Sequence, residues 1–379
     1  MKRGLVKMDK LLIIVIDGCS SDYISKENTP NFYRIAKSGF CKCAKSSIPS
    51  VTNVNHATIL SGKFPYEHGI VGNYYYNKET GKQDFIENSG FIKTDTIFDV
   101  LHRKGAKTAL LAVNANIMEV FGRNVDFSIS VQKPNEILVR FLDMEMPPKV
   151  GTLKASGWIL EACHNLIKKN NPDVVYCTTS DYMMHNFAPN TNEAITHMQE
   201  IDKWIGKIYD LDPKREIYIT ADHGMNKKSK IVNLQAIMDR MKYEVVCHPP
   251  IKDRYIENHV YQEGGVLYLY FKEAAKDKKD EIIKFIEEYP CVESVCTKEE
   301  AAKKYNLPMD KIGDYVVFAG EDYAFGELDG EELETDCIRT HGSLYERAIP
   351  LIAVNAREEA AKYRYSRDIV RIILEKIES

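Results

Sequence analysis

Leu11-Leu-Ile-Ile-Val-Ile16 runs without a polar interruption into Asp17-Gly18. Six branched apolar residues that end on a carboxylate and a glycine describe a strand buried on both faces and the turn that stops it. Two further runs repeat the pattern. Asp173-Val-Val-Tyr-Cys-Thr178 leads shortly to Asp181, and Glu216-Ile-Tyr-Ile-Thr220 leads to Ala221, Asp222 and His223. Strands without polar alternation predict a parallel sheet covered by helices on both sides. Helical stretches fill the intervals at 31–38, 96–104, 158–169 and 193–209. In open α/β sheets the ligand site lies beyond the carboxyl ends of the strands, so Asp17, Asp181, Asp222 and His223 are expected at one edge.

The chain has 379 residues, 44% of them hydrophobic, enough for one large α/β domain with an insertion. With 51 basic and 55 acidic side chains well mixed, the net charge of −4 gives no basic face for long nucleic acid. No segment approaches the ~20 apolar residues that span a bilayer. The basic start, residues 1–10, is followed by too short an apolar run for a secretory signal. The nine scattered cysteines suggest reduced thiols in a cytoplasmic protein. The sequence leaves oligomer formation open.

Between 233 and 314 the texture changes. Strand-like stretches at 243–247, 266–271, 292–296 and 315–318 alternate with a charged helix at 276–288 and a shorter one at 299–305. This reads as a small α+β insertion, 233–314, set into a core formed by 1–232 and 315–379. The chain returns through Thr340-His341-Gly342-Ser343, a strand at 349–354 and a terminal helix.

Asp181 and His185 are four apart, so on a helix both project from one face, as two ligands of one cation must. With Asp17, Asp222, His223 and His341 they offer the mixed oxygen and nitrogen ligation suited to zinc, manganese or iron. Thr52, in Ile48-Pro-Ser-Val-Thr-Asn-Val-Asn-His56, precedes a stretch that turns helical after Asn55. Spacing leaves two readings of Thr52: a helix N-cap, or a hydroxyl nucleophile at a helix start that favours anions.

Several segments together carry a resemblance. They are Asp17 in Val-Ile-Asp-Gly, the run Pro49-Ser-Val-Thr-Asn-Val-Asn-His-Ala-Thr-Ile-Leu-Ser-Gly62 with Pro65-Tyr-Glu-His-Gly-Ile-Val-Gly-Asn73, then Ser180-Asp-Tyr-Met-Met-His185, Ala221-Asp-His-Gly-Met225 and Thr340-His-Gly342. In this order they resemble the nucleotide pyrophosphatase/phosphodiesterase family of the alkaline phosphatase superfamily, whose phosphonoacetate hydrolases are similar too. The resemblance implies a three-layer α/β/α core with a mostly parallel sheet and a small α+β cap. It implies two divalent metal ions, zinc expected and Mn2+ or Fe2+ as alternatives. Asp181, His185 and His341 would hold one, and Asp17, Thr52, Asp222 and His223 the other. Thr52 would be the nucleophile of a covalent phosphothreonine mechanism, and Asn55 would donate a hydrogen bond to a phosphoryl oxygen. Glu67-His68-Gly69 and Asn73 are expected to be architecture at the site edge.

The implied substrate is a small phosphorus compound, a phosphodiester or pyrophosphate, with phosphonoacetate as the alternative. Phosphonoacetate hydrolases are expected to hold the carboxylate with lysines where this chain has Asn114, Asn116 and Met118, a neutral wall. Sulfatases resemble a Cys-x-Pro-x-Arg pattern, which Cys247-His-Pro-Pro-Ile251 fails at its last position. A non-catalytic metal-binding protein is the reading from another class, and the intact ligand set with Thr52 counts against it. A ring from Tyr74-Tyr75-Tyr76 is expected to face the cleft, or else to be strand core.

Overall fold

Leu11–Val15, the stretch that announced a doubly buried strand, lies in the middle of a seven-stranded sheet and is fully buried along its length. Fully burying each such Leu, Ile or Val side chain contributes roughly 1.5–3 kcal/mol, so this strand anchors the sheet. The computed structural model describes residues 10–254 and 259–378. Across the sheet the strands run Gly39–Lys45, Ala348–Val354, Glu216–Thr220, Leu11–Val15, Val174–Thr178, Thr108–Ala112 and Phe127–Ser130. The five from Glu216–Thr220 to Phe127–Ser130 are parallel. Ala348–Val354 is antiparallel to both of its neighbours.

Two groups of helices cover the sheet, giving the α/β/α layering. Pro30–Lys37, Lys154–Asn170 and Asn192–Leu211 pack together, and Thr52–Ser61 packs with Ile97–Arg103, Ala115–Phe121 and Asp368–Glu378. At the end of Thr52–Ser61, Gly62 takes φ +67° and lies so close to the terminal helix that a Cβ would stand 2.6 Å from Arg371 N.

A second, antiparallel sheet is ordered Val245–His248, Val266–Phe271, Tyr315–Ala319 and Val292–Thr297. Its central strand is apolar throughout because both faces are covered. Leu267, Leu269 and Phe271 pack with Ile282 and Ile286, while Val266, Tyr268 and Tyr270 pack with Ala301 and Tyr305. This sheet runs through Tyr315–Ala319, beyond the boundary expected at 314. The charged helix is split into a 3-10 segment, Glu273–Lys278, and an α-helix, Lys279–Glu287. All nine cysteines are free thiols. Among the described residues no helix is long and apolar enough to cross a membrane.

Candidate active site

Three parallel strands deliver their carboxylates to one edge. Asp17 follows Leu11–Val15, Asp181 follows Val174–Thr178, and Asp222 with His223 follows Glu216–Thr220. The turn after Asp17 depends on Gly18, which takes φ +71° and would bring a Cβ to 3.1 Å from Asp181 Cβ. The Gly18 amide donates to Asp222 Oδ1 at 3.1 Å, tying two strand ends together. Asp181 stands immediately before the short helix Tyr182–Asn186 without capping it through its side chain, and His185 one turn on brings Nε2 to 3.0 Å from Asp181 Oδ2. The same-face expectation for this pair holds.

Four histidines each commit one ring nitrogen to a backbone carbonyl. Nδ1 of His185 lies 2.7 Å from Arg339 O, that of His223 2.9 Å from Gly224 O, and that of His341 2.6 Å from Ser50 O. Nδ1 of His259 lies 3.1 Å from Glu263 O. A carbonyl only accepts, so each Nδ1 carries a proton and each ring points its Nε2 away from that carbonyl. The His223 and His341 rings stack with centroids 3.6 Å apart.

Ligand atoms of Asp181, His185, His259 and His341 lie within 4.8 Å of one another, as do those of Asp17, Asp181 and His223, and of Asp17, His56 and Asp222. Asp17 Oδ1, Asp222 Oδ2, His56 Nε2 and His341 Nε2 are buried without a hydrogen-bond partner. The large majority of buried polar atoms in folded proteins have a partner, so four orphans on neighbouring site residues call for a reason. Imidazole nitrogens and carboxylate oxygens converging on one another suit cations between them, and the donor set fits divalent ions.

The charge balance says the same. Burial, then the Asp222 and Asp181 carboxylates, push the Asp17 carboxyl well above its ordinary range. Burial would also raise Asp181, but His185 followed by His223 and His259 holds it at about 2. Burial and the surrounding imidazoles His223, His259 and His185 hold His341 well below the usual range.

Thr52 is the first residue of Thr52–Ser61, so the helix begins before Asn55, not after it as the polar start of the segment suggested. Val51 is the N-cap and no side chain caps the helix, which removes the capping reading of Thr52. Its Oγ1 lies 3.3 Å from His223 Nε2. Asn55 departs from its expected role. Its Oδ1 accepts from Ser47 N at 2.7 Å, and its Nδ2 lies 3.3 Å from the carbonyls of Ser47, Pro49 and Val51. The fully buried amide is engaged in holding the 47–51 turn and does not line the cleft.

The cleft beside Thr52 is lined instead by Asn53 and Asn73, by Asn114 and Asn116 as expected, and by Phe85. Met118 and the tyrosines of 74–76 do not line it. Tyr74 stacks on His248 and Tyr76 packs on Tyr270, the strand-core outcome. From the second sheet's side come Lys252, Asp253, Arg254 and His259. Lys252 pairs with Glu327, and Arg254 clasps Glu87 and stacks over Phe85 at 4.4 Å. The cleft therefore carries asparagines on one side and, on the other, two cations each paired with a carboxylate, with Asp253 between them in sequence. Asn73 stood within the quoted motif and was legible there. His259 had no strand end or helical partner to mark it, and nothing in the sequence could have found it.

The model of the family described as type I phosphodiesterase / nucleotide pyrophosphatase matches residues 11–344, a span holding every strand-end carboxylate, Thr52 and His341. The chain belongs to that family. Among curated phosphodiesterase relatives it is 24% identical over 261 residues to an uncharacterized pyrophosphatase/phosphodiesterase of Schizosaccharomyces pombe, covering 61% of this chain and 49% of that one. It is 24% identical to the bis(5'-adenosyl)-triphosphatase ENPP4 of Bos taurus, covering 64% and 53%. The aligned regions thus span about half the length of these relatives. Among solved structures it is similar to a phosphonoacetate hydrolase from Sinorhizobium meliloti in complex with phosphonoacetate. The TM-score is 0.85 at 26% identity, over 97% of this chain and 95% of that one. Murine ectonucleotide pyrophosphatase/phosphodiesterase 5 in complex with AMP shares the fold, with TM-score 0.72 at 18% identity over 98% and 95% of the two chains.

Proposed function

We propose that this phosphodiesterase-family chain is a two-cation hydrolase that cleaves phosphodiester or pyrophosphate bonds through Thr52. The supporting observation is that four buried imidazoles, each with Nδ1 held by a backbone carbonyl, cluster with three buried carboxylates. Asp181, His185 and His341 would hold one cation, with His259 as a fourth candidate. Asp17, Thr52, Asp222 and His223 would hold the other. Zinc is the expected ion, with manganese or iron as alternatives. Bound there, the ions would supply Lewis acidity that lowers the pKa of the Thr52 hydroxyl and offsets charge on the phosphoryl oxygens.

The chain's own groups would do the rest. Thr52 Oγ1 would attack phosphorus and expel the leaving alcohol or phosphate, forming a phosphothreonine. Water would then hydrolyse that ester and restore the hydroxyl. Asn73 takes over the donor role expected of Asn55. It lines the cleft beside Thr52, and its Oδ1 accepts from Asn53 N at 3.0 Å, which leaves Nδ2 for a phosphoryl oxygen. Residues 233–314, with the strand that completes their sheet, would form a cap whose Lys252, Arg254 and His259 close the cleft.

Phosphonoacetate is the second reading, since Lys252 and Arg254 line the cleft and could exchange their glutamate partners for its carboxylate. Steady-state kinetics on an aryl phosphodiester, a dinucleoside polyphosphate, phosphonoacetate and an aryl phosphate monoester decide between them. The first two are expected to show the higher kcat/KM. A clear preference for phosphonoacetate, lost in Arg254→Ala, would replace the diester reading. No turnover of any of the four with added zinc or manganese would leave a non-catalytic protein.

A further inference from the structure

Lys228 and Glu346 form an ion pair at 2.8 Å with both side chains wholly buried. Burying two charges costs desolvation that an apolar pair of similar volume avoids, so stability alone is a weak reason for such a pair. What Glu346 touches suggests another. Its Oε2 accepts from the amide of Ser343 at 2.9 Å and from the Ser343 hydroxyl at 2.6 Å, two residues beyond His341. Its backbone carbonyl accepts from the amide of Gly224 at 2.7 Å, the residue after His223. Its Oε1 accepts from Asn226 Nδ2 at 3.0 Å and from Lys228. Lys228 is itself held by Glu321 O at 2.8 Å. One residue thus fastens both the loop bearing Asp222 and His223 and the loop bearing His341, whose imidazoles stack.

We propose that Glu346, oriented by Lys228, is a positioning residue that sets the spacing between the two cation-holding loops. The role rests on the two-cation reading above. Outer contacts that orient cation-holding loops commonly change metal affinity or rate 10- to 100-fold. The test compares wild type, Glu346→Gln, Lys228→Met and the double variant. Zinc would be titrated calorimetrically into the chelator-stripped full chain, melting temperatures taken without zinc, and kcat and KM measured on an aryl phosphodiester.

Wild type should take up two ions. Glu346→Gln should bind zinc roughly 10- to 100-fold more weakly and lose a similar factor in kcat, with KM little changed. The double variant, which buries no unpaired charge, should recover the melting temperature but not the zinc affinity or kcat. If a single variant fails to fold, the double variant still carries the comparison. Unchanged zinc affinity, or recovery of affinity together with stability in the double variant, would make the pair merely structural and overturn the proposal. Fewer than two ions in wild type would overturn the two-cation reading itself, and this positioning role with it, before any variant is considered.

Discussion

At the scale of single residues, the proposed chemistry rests on the Thr52 hydroxyl and the Asn73 amide. The Thr52 hydroxyl is not used in capping, and it faces His223 across 3.3 Å. Thr52→Ala should lower turnover by at least about 10³-fold while the fold and most zinc uptake survive, because the variant keeps the carboxylates and imidazoles. Single-turnover kinetics would check this, and rates near wild type would remove covalent catalysis by this residue. The two asparagines should separate cleanly. Asn73→Ala is expected to cost about 10²–10³ in kcat, as for one oxyanion donor, with little change in the urea midpoint. Asn55→Ala leaves a buried amide and carbonyls of the 47–51 turn without their partner, so it should cost about 1–3 kcal/mol of stability. The motif contained both residues. It could not say which amide faces the cleft, because that depends on the path of the 47–51 turn, which periodicity does not encode.

At the scale of elements, the sheet was readable because its strands are buried on both faces. Runs such as Leu11–Val15 and Val174–Thr178 therefore need no polar residue. Helix starts were less readable: Thr52 and Asn53 look like loop residues, yet both lie in the first turn of Thr52–Ser61. The extent of the second sheet was hidden for a different reason. Alternation identifies a strand but not its partners, and Tyr315–Ala319 pairs back onto Val266–Phe271 and Val292–Thr297. One element also carries a pH dependence. Asp99 closes the capping box of Ile97–Arg103 with Thr96 and accepts two bonds from Arg123 and one from Asn124. Burial would raise its carboxyl, but Arg123 and these other donors draw it down from 3.8 to about 2. A depressed carboxyl stabilises the fold above its unfolded value and loses that contribution as pH falls through its folded value. Asp99→Asn should therefore cost roughly 1–2 kcal/mol at pH 7, discounted because Arg123 is half in solvent. Urea melts of the two proteins should converge between about pH 4 and pH 2. A constant gap across that range would assign the loss to packing.

For the whole molecule, the cleft is where the main sheet's carboxyl edge meets the second sheet's loops. Half of it was therefore readable in the chain. Three carboxylates at three strand ends could be assembled on paper from the rule for parallel sheets. Lys252, Arg254 and His259 come from a segment whose docking onto that edge no local pattern records, so this side of the cleft emerged only from the fold. The same assembly explains why buried carboxylates and imidazoles tolerate one another, since divalent cations between them would satisfy atoms such as Asp17 Oδ1 and His341 Nε2. Cation stoichiometry is the most direct test. Purified protein, stripped with chelator, reconstituted with zinc and desalted, would be assayed by elemental analysis beside His341→Ala. Two ions per wild-type chain, falling to about one in His341→Ala, is the expected result, whereas one ion or none in the wild type would contradict the two-cation centre.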